Sequence, residues 1–125
     1  MKKFFYYWLP VYVYAGLIFY FSSLPTIPEP ITRIIPQTLI LHVIEYFIFG
    51  ILLFRALVNS ENTALKNNAI LLSIIISIFY GITDEIHQHF VPGRIFGFLD
   101  VIADSIGSSL GIIINLKFYN KIRKL

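Results

Sequence analysis

Polar residues fall into short clusters along the chain, and four long apolar segments lie between them. Lys2 and Lys3 precede an uncharged run from Phe4 to Phe21. Further apolar segments extend over 37–58, 69–82 and 95–116. About 20 apolar residues in helical form cross the hydrocarbon core of a bilayer. The first, second and fourth segments meet that length. The third is short, so 83–90 is expected to continue the same helix in polar form. Pro25, Pro28, Pro30 and Pro36 predict a loop over 25–36, because an interior proline removes a helix hydrogen bond and clashes with the preceding turn. Asn59 to Asn68 is polar and reads as a short connection. Val91-Pro92-Gly93-Arg94 breaks the third helix, and Pro-Gly suits the central pair of a type II turn.

The pattern predicts one all-α membrane domain over residues 1–125. Its helices lie at about 4–22, 37–58, 69–90 and 95–116, and they form a four-helix transmembrane bundle. Composition narrows the alternatives. Of the 125 residues 57% are hydrophobic and only 14% are charged, with a mean hydropathy of +0.74. A small soluble domain has too little interior to hide that much apolar surface, and a disordered chain is far more polar. Cysteine is absent, which excludes disulfides, thiol nucleophiles and thiolate metal sites. The first run holds ten of the 21 aromatic residues, and no small-residue cleavage site follows it. It is therefore read as a retained span rather than a removed leader.

The net charge of +3 is placed by the membrane, not by nucleic acid. With both termini in the cytoplasm, Lys2, Lys3, Arg55, Lys66, Lys117, Lys121, Arg123 and Lys124 lie inside, and only Arg33 and Arg94 lie outside. Inner loops carry the excess of Lys and Arg, so the expected location is the plasma membrane with both ends cytoplasmic. Arg55 reads as a snorkelling anchor at the inner interface. Glu29 and Arg33 read as solvated loop charges.

That topology gathers residues the sequence keeps far apart. His42 and Glu45 fall near the outer end of the second helix. Asp84, Glu85, His87, Gln88 and His89 fall at the outer end of the third, Arg94 in the outer turn, and Asp100 and Asp104 in the outer half of the fourth. Five of the seven acids and all three histidines thus share one depth and one side, in an outward-facing polar pocket. Helical phase agrees. His42 and Glu45 share a face, as do Asp84, His87 and Gln88. Asp100, Asp104, Gly107 and Gly111 form one stripe, and the GxxxG lets another helix approach closely. That close packing is open to a helix of the same chain or of a second copy in a homo-oligomer. Glu85, next to Asp84, points about 100° away and is free to meet solvent. His89 is the weakest of the histidines.

A carboxylate at mid-membrane costs roughly 2.5–3.5 kcal/mol on insertion scales, so the cluster requires partners, water or a cation. Arg94 is the natural counter-ion, and its fork also suits a phosphate. The cluster reads as a catalytic site, as a pocket for a polar head group, or as structural glue. Glue accounts for one or two such residues better than for eight. Neither an HExxH zinc motif nor a Walker, GxSxG or dinucleotide glycine pattern is present.

The string from Asp84 to Arg94, DEIHQHFVPGR, followed by Asp100, Asp104, Gly107 and Gly111, resembles the VanZ-like family. His42, Glu45 and Tyr46 are similar to that family's H-x-x-x-Y stretch, and the resemblance runs from about residue 5 to 116. Thr38 and Leu39 stand where relatives carry an Asp-Lys pair, Asp104 stands where many carry asparagine, and Ile95, Phe96, Gly97 and Phe98 are more apolar than usual. The resemblance implies a small polytopic bacterial membrane protein. The family's namesake is linked to low-level resistance to teicoplanin, a lipid-tailed glycopeptide.

The expected function is to bind or modify an amphiphilic or lipid-linked envelope molecule at the outer face, with no nucleic-acid partner. Asp84, Glu85, His87 and Asp100 are the acid–base candidates. His42, Glu45, Gln88, Arg94 and Asp104 are the binding candidates, with Arg94 gripping an anion. The cofactor is left open, a divalent metal being compatible with these residues. A metal-dependent intramembrane hydrolase acting on a lipid phosphate is the second reading. A small drug transporter is least favoured, because the charges lie on one side only.

Overall fold

A computed structural model describes residues 1–25 and 31–125, the side chains of 31–37 excepted. The chain is all-α among the described residues. Among the described residues, four helices are long and apolar enough to span a bilayer: α1 (Lys2–Ser22), α2 (Ile31–Val58), α4 (Ala69–His89) and α5 (Phe98–Arg123). The short α3 (Thr63–Asn67) lies in the polar connection before α4, where Asn62 caps it by accepting from the Ala64 and Leu65 amides. The described helices make a multi-pass four-helix bundle.

Three boundaries differ from the sequence reading. Helix α2 begins at Ile31, so the stretch expected as a loop to Pro36 is helical over 31–36; Pro36 removes one backbone bond, which membrane helices tolerate. The rest of that expected loop, 26–30 with Glu29, lies outside the described residues, as does the side chain of Arg33. Helix α5 starts at Phe98 rather than Ile95, leaving 95–97 outside any helix with Gly97 extended, and it runs on to Arg123. Its last turns carry Lys117, Lys121 and Arg123 beyond the apolar stretch, where positive charge favours a helix C-terminus. Helix α4 is continuous from its apolar part through Asp84 to His89, and 21 residues at 1.5 Å each span about 32 Å.

The bundle core is built on α2. Tyr46, Phe49, Leu53, Phe54 and Leu57 are almost fully buried there, with Ile18 of α1 and Ile112 of α5 packed against them. The most extensive packing joins α2 to α5. It depends on small residues. A Cβ on Gly107 would run into the Val43 carbonyl, one on Gly111 into the Phe47 carbonyl, and one on Gly50 into the backbone of Ser108. The GxxxG is therefore used within the chain, bringing two backbones together where dispersion, not hydrophobicity, drives helix association. Polar tethers join several helix pairs: Asn115 Nδ2 of α5 donates to the Ile51 carbonyl of α2 at 3.0 Å, Tyr14 Oη of α1 to the Glu45 carbonyl of α2 at 3.0 Å, and Tyr80 Oη of α4 to the Ala15 carbonyl of α1 at 2.6 Å.

Helix α1 is the peripheral member. Only Val11, Ile18 and Ser22 of it are buried, and the helix continues through Pro10. Most of its aromatic side chains are exposed on the bundle surface, as expected of a lipid-facing helix. At its N-terminal end the Arg55 guanidinium lies over the Tyr6 and Tyr7 rings, at 4.8 and 5.1 Å from their centroids. Cation–π contact thus fixes the anchor that α2 places there.

Candidate functional site

Buried stripes of small and polar residues prepare the polar end of the bundle. On α4, Ser73, Ser77, Gly81, Asp84 and Gln88 recur at steps of three or four and all are buried. On α5, Asp104, Gly107 and Gly111 do the same, with buried Ser108 beside them. Gly81 is the point of contact: a Cβ there would lie 2.9 Å from Asp104 Oδ2. The absent side chain makes room for the Asp104 carboxylate between α4 and α5.

The Asp104 carboxylate is fully buried and meets α2. His42 Nδ1 lies 2.8 Å from Asp104 Oδ1, joining residues 62 positions apart. The pair leaves Asp104 Oδ2 without a partner. It also commits Nδ1 of the imidazole and leaves Nε2 for another role.

Glu85, which helical phase leaves free to meet solvent, is fully buried. Its Oε2 accepts the Gly97 amide at 3.0 Å, and its Oε1 has no partner. The physical reason is the non-helical segment 95–97, whose Gly97 lies beside the end of α4 and offers a backbone donor on the face the helix wheel leaves open. The same segment brings Asp100 close, since a Cβ on Gly97 would collide with its carboxylate. His42, Glu85 and Asp100 each offer a ligand atom, and these atoms all lie within 4.8 Å of one another. These three could hold a divalent ion.

Asp84 sits beside this group. Its Oδ2 accepts from Gln88 Nε2 at 3.0 Å, one turn away on the same face, and its Oδ1 is buried without a partner. Gln88 Oε1 in turn accepts from Arg94 Nη1 at 3.3 Å. Arg94 Nε and Nη2 donate to the Leu24 and Phe21 carbonyls at 3.2 and 3.0 Å. Among the described residues no carboxylate lies within ion-pair distance of Arg94. The expected counter-ion therefore binds neutral oxygens and ties the turn after α4 to the end of α1. That turn has the expected form: Gly93 has φ +80°, and the Arg94 amide donates to the Val91 carbonyl at 3.1 Å, as a type II turn requires.

A cavity of about 420 Å³ opens beside Arg94. Gln88, His42, Glu45 and Ser22 give it a polar side; Tyr14, Phe21, Leu41 and Ile44 give it an apolar one. Ser22 Oγ is buried there without a partner. Glu45 lies within electrostatic range of His42, Asp84, Asp104 and Arg94.

The histidines separate. His42 joins the cluster. His87 instead faces α1: its ring stacks on Phe19 with centroids 4.4 Å apart, and its Nε2 lies 2.8 Å from Ser23 Oγ. Ser23 spends its one hydroxyl proton on the Phe19 carbonyl at 2.6 Å, so His87 Nε2 carries the proton of that contact. His89 is exposed and touches Phe90 edge-on. Not every participant is legible from the residues, and Ser22 carries no sequence signal. The Gly97 amide has no sequence signal. Tyr46, whose hydroxyl is buried without a partner, was marked only by the family resemblance.

A family model described as VanZ/LLP1 matches residues 6–119. No curated protein and no solved structure matches the chain.

Proposed function

The chain belongs to the VanZ/LLP1 family, and from that membership and the cavity beside Arg94 we propose that it holds the anionic head of an amphiphilic, lipid-linked envelope molecule at the outer face of the plasma membrane. The observation that carries this reading is the Arg94 guanidinium on the cavity wall, held by neutral oxygens alone among the described residues. Those bonds use three of its five N–H donors, which leaves its charge to attract a phosphate or carboxylate. A volume of about 420 Å³ falls in the range of small-ligand sites. Leu41 and Ile44 on its rim are more than half exposed, so an attached hydrocarbon chain continues from the cavity into lipid.

Each polar residue then has a part. Gln88 aims Arg94, and Asp84 fixes the amide of Gln88. His42, Glu45 and Ser22 line the cavity, and Asp104 holds His42 in place. Chemistry on a bound head group falls to Asp84, Glu85 and Asp100. His87 secures α1. The eight-to-two split of basic residues supports a cytoplasmic location for both termini, which puts the cavity outside. Tolerance of a lipid-tailed glycopeptide such as teicoplanin follows if the bound molecule is one that the drug needs or resembles.

Native mass spectrometry of protein released in mild detergent tests the reading. The expected result is a retained phospholipid or polyisoprenyl phosphate that is lost on Arg94→Ala. A wild-type protein that carries neither, and that binds neither when vesicles containing them are supplied, overturns it.

A further inference from the structure

The buried cluster is short of positive charge. Glu45, Asp84, Glu85, Asp100 and Asp104 gather there, and His42 and Arg94 are the cationic candidates beside them. Arg94 stands at the rim with its donors turned to carbonyl and amide oxygens. Three carboxylate oxygens, on Asp84, Glu85 and Asp104, are buried with no hydrogen-bond partner. Buried polar atoms are nearly always satisfied, and buried carboxylates cost most when they are not.

We propose that His42, Glu85 and Asp100 form a binding site for one divalent transition-metal ion of the zinc or manganese class. The residues come from α2, from the end of α4 and from the start of α5. Their ligand atoms already lie within 4.8 Å of one another. Ligands around a tetrahedral ion at about 2.1 Å sit roughly 3.4 Å apart, so modest side-chain rotations complete the set. The donors also suit such an ion. An imidazole nitrogen favours zinc and its neighbours, and carboxylates favour manganese and magnesium.

The surroundings prepare each ligand. Asp104 engages His42 Nδ1 and so presents Nε2, the carboxylate–histidine arrangement that supports metal-bound imidazoles. The Gly97 amide engages Glu85 Oε2 and leaves Oε1 buried and unpartnered. Gly97 also gives the Asp100 carboxylate room, since any side chain there would strike it. Three protein ligands leave at least one coordination position for water or a ligand oxygen. His42 lines the cavity as well, so that position lies near whatever fills it. The ion site does not depend on the identity of that occupant.

The test is equilibrium dialysis of chelator-stripped, detergent-purified protein against Zn²⁺ and, separately, Mn²⁺, with metal content measured by plasma mass spectrometry. The expected result is about one ion per chain for the wild type, and loss of that ion in Glu85→Gln and in Asp100→Asn. Asp104→Asn is expected to weaken affinity by about 10–100-fold, as loss of an outer-shell partner does. Arg94→Ala is expected to keep the ion while losing any lipid phosphate, which separates this site from the lipid pocket. Thermal unfolding in detergent accompanies each variant, and half-buried Asp100 provides the substitution best tolerated by the fold. A wild type that takes up neither ion overturns the proposal. So does a folded Asp100→Asn variant that binds the metals as the wild type does.

Discussion

His42 Nδ1 lies 2.8 Å from Asp104 Oδ1, and this contact locks α2 to α5 where both side chains are buried. It sits next to a close approach of the two backbones, at Val43 and Gly107. Asp104→Ala removes the partner and leaves a ring nitrogen buried and unsatisfied. A loss of about 1–3 kcal/mol in stability is expected. Asp104→Asn keeps an acceptor oxygen and is expected to lose less. Thermal or denaturant unfolding in detergent checks the order of the two variants; equal stability of Asp104→Ala and wild type contradicts it.

The glycine positions make a contrast. Gly107→Ala and Gly111→Ala each place a methyl against an α2 carbonyl, so the helices must separate, at about 1–3 kcal/mol as for other overpacked sites. Gly16→Ala in α1 meets nothing within 4 Å. It is expected to be neutral, or to stabilise by up to about 1 kcal/mol through helix propensity. Melting temperatures of the three variants, measured in one detergent, rank them.

Much of the site was legible because hydropathy fixes depth. Once four spans are drawn, His42, Asp84 and Asp104 must share one end of the bundle, and the 4, 3, 4 spacing of Asp100, Asp104, Gly107 and Gly111 turns Asp104 inward. Pro92-Gly93 announced its turn for a stereochemical reason, since φ of +80° belongs to glycine. Other features were not legible. Glu85 looks solvent-directed on a helical wheel, and only the path of residues 95–97 buries it under the Gly97 amide. His87 shares a face with Asp84 in sequence, yet it is claimed by α1. That helix is apolar on all sides, so its packing angle leaves no periodic trace. The helical start of α2 at Ile31 was hidden by prolines, which read as a loop wherever water, rather than lipid or protein, is the surrounding medium.

The contact between His87 and Ser23 makes a separate prediction. If His87 anchors α1, then His87→Ala and Ser23→Ala lower stability by a similar small amount, and both retain the lipid and metal ligands. A double-mutant cycle is expected to show coupling of about 0.5–3 kcal/mol, because the residues touch. Loss of ligand binding in His87→Ala, with stability unchanged, would instead return this histidine to the polar machinery.

Orientation is open to direct chemistry because the chain contains no cysteine. Single cysteines at Phe90 and at Glu61 report opposite ends of the bundle. Both positions are exposed, and Phe90 follows α4 whereas Glu61 precedes α3. With both termini in the cytoplasm, an impermeant maleimide added to intact cells labels Phe90→Cys and spares Glu61→Cys until the membrane is opened. The reversed pattern would put Arg94 and the cavity on the cytoplasmic side. A lipid-linked molecule of the outer leaflet could not then reach the site, although the metal site would be untouched. The labelling experiment therefore decides which leaflet supplies the ligand, independently of whether the protein binds it.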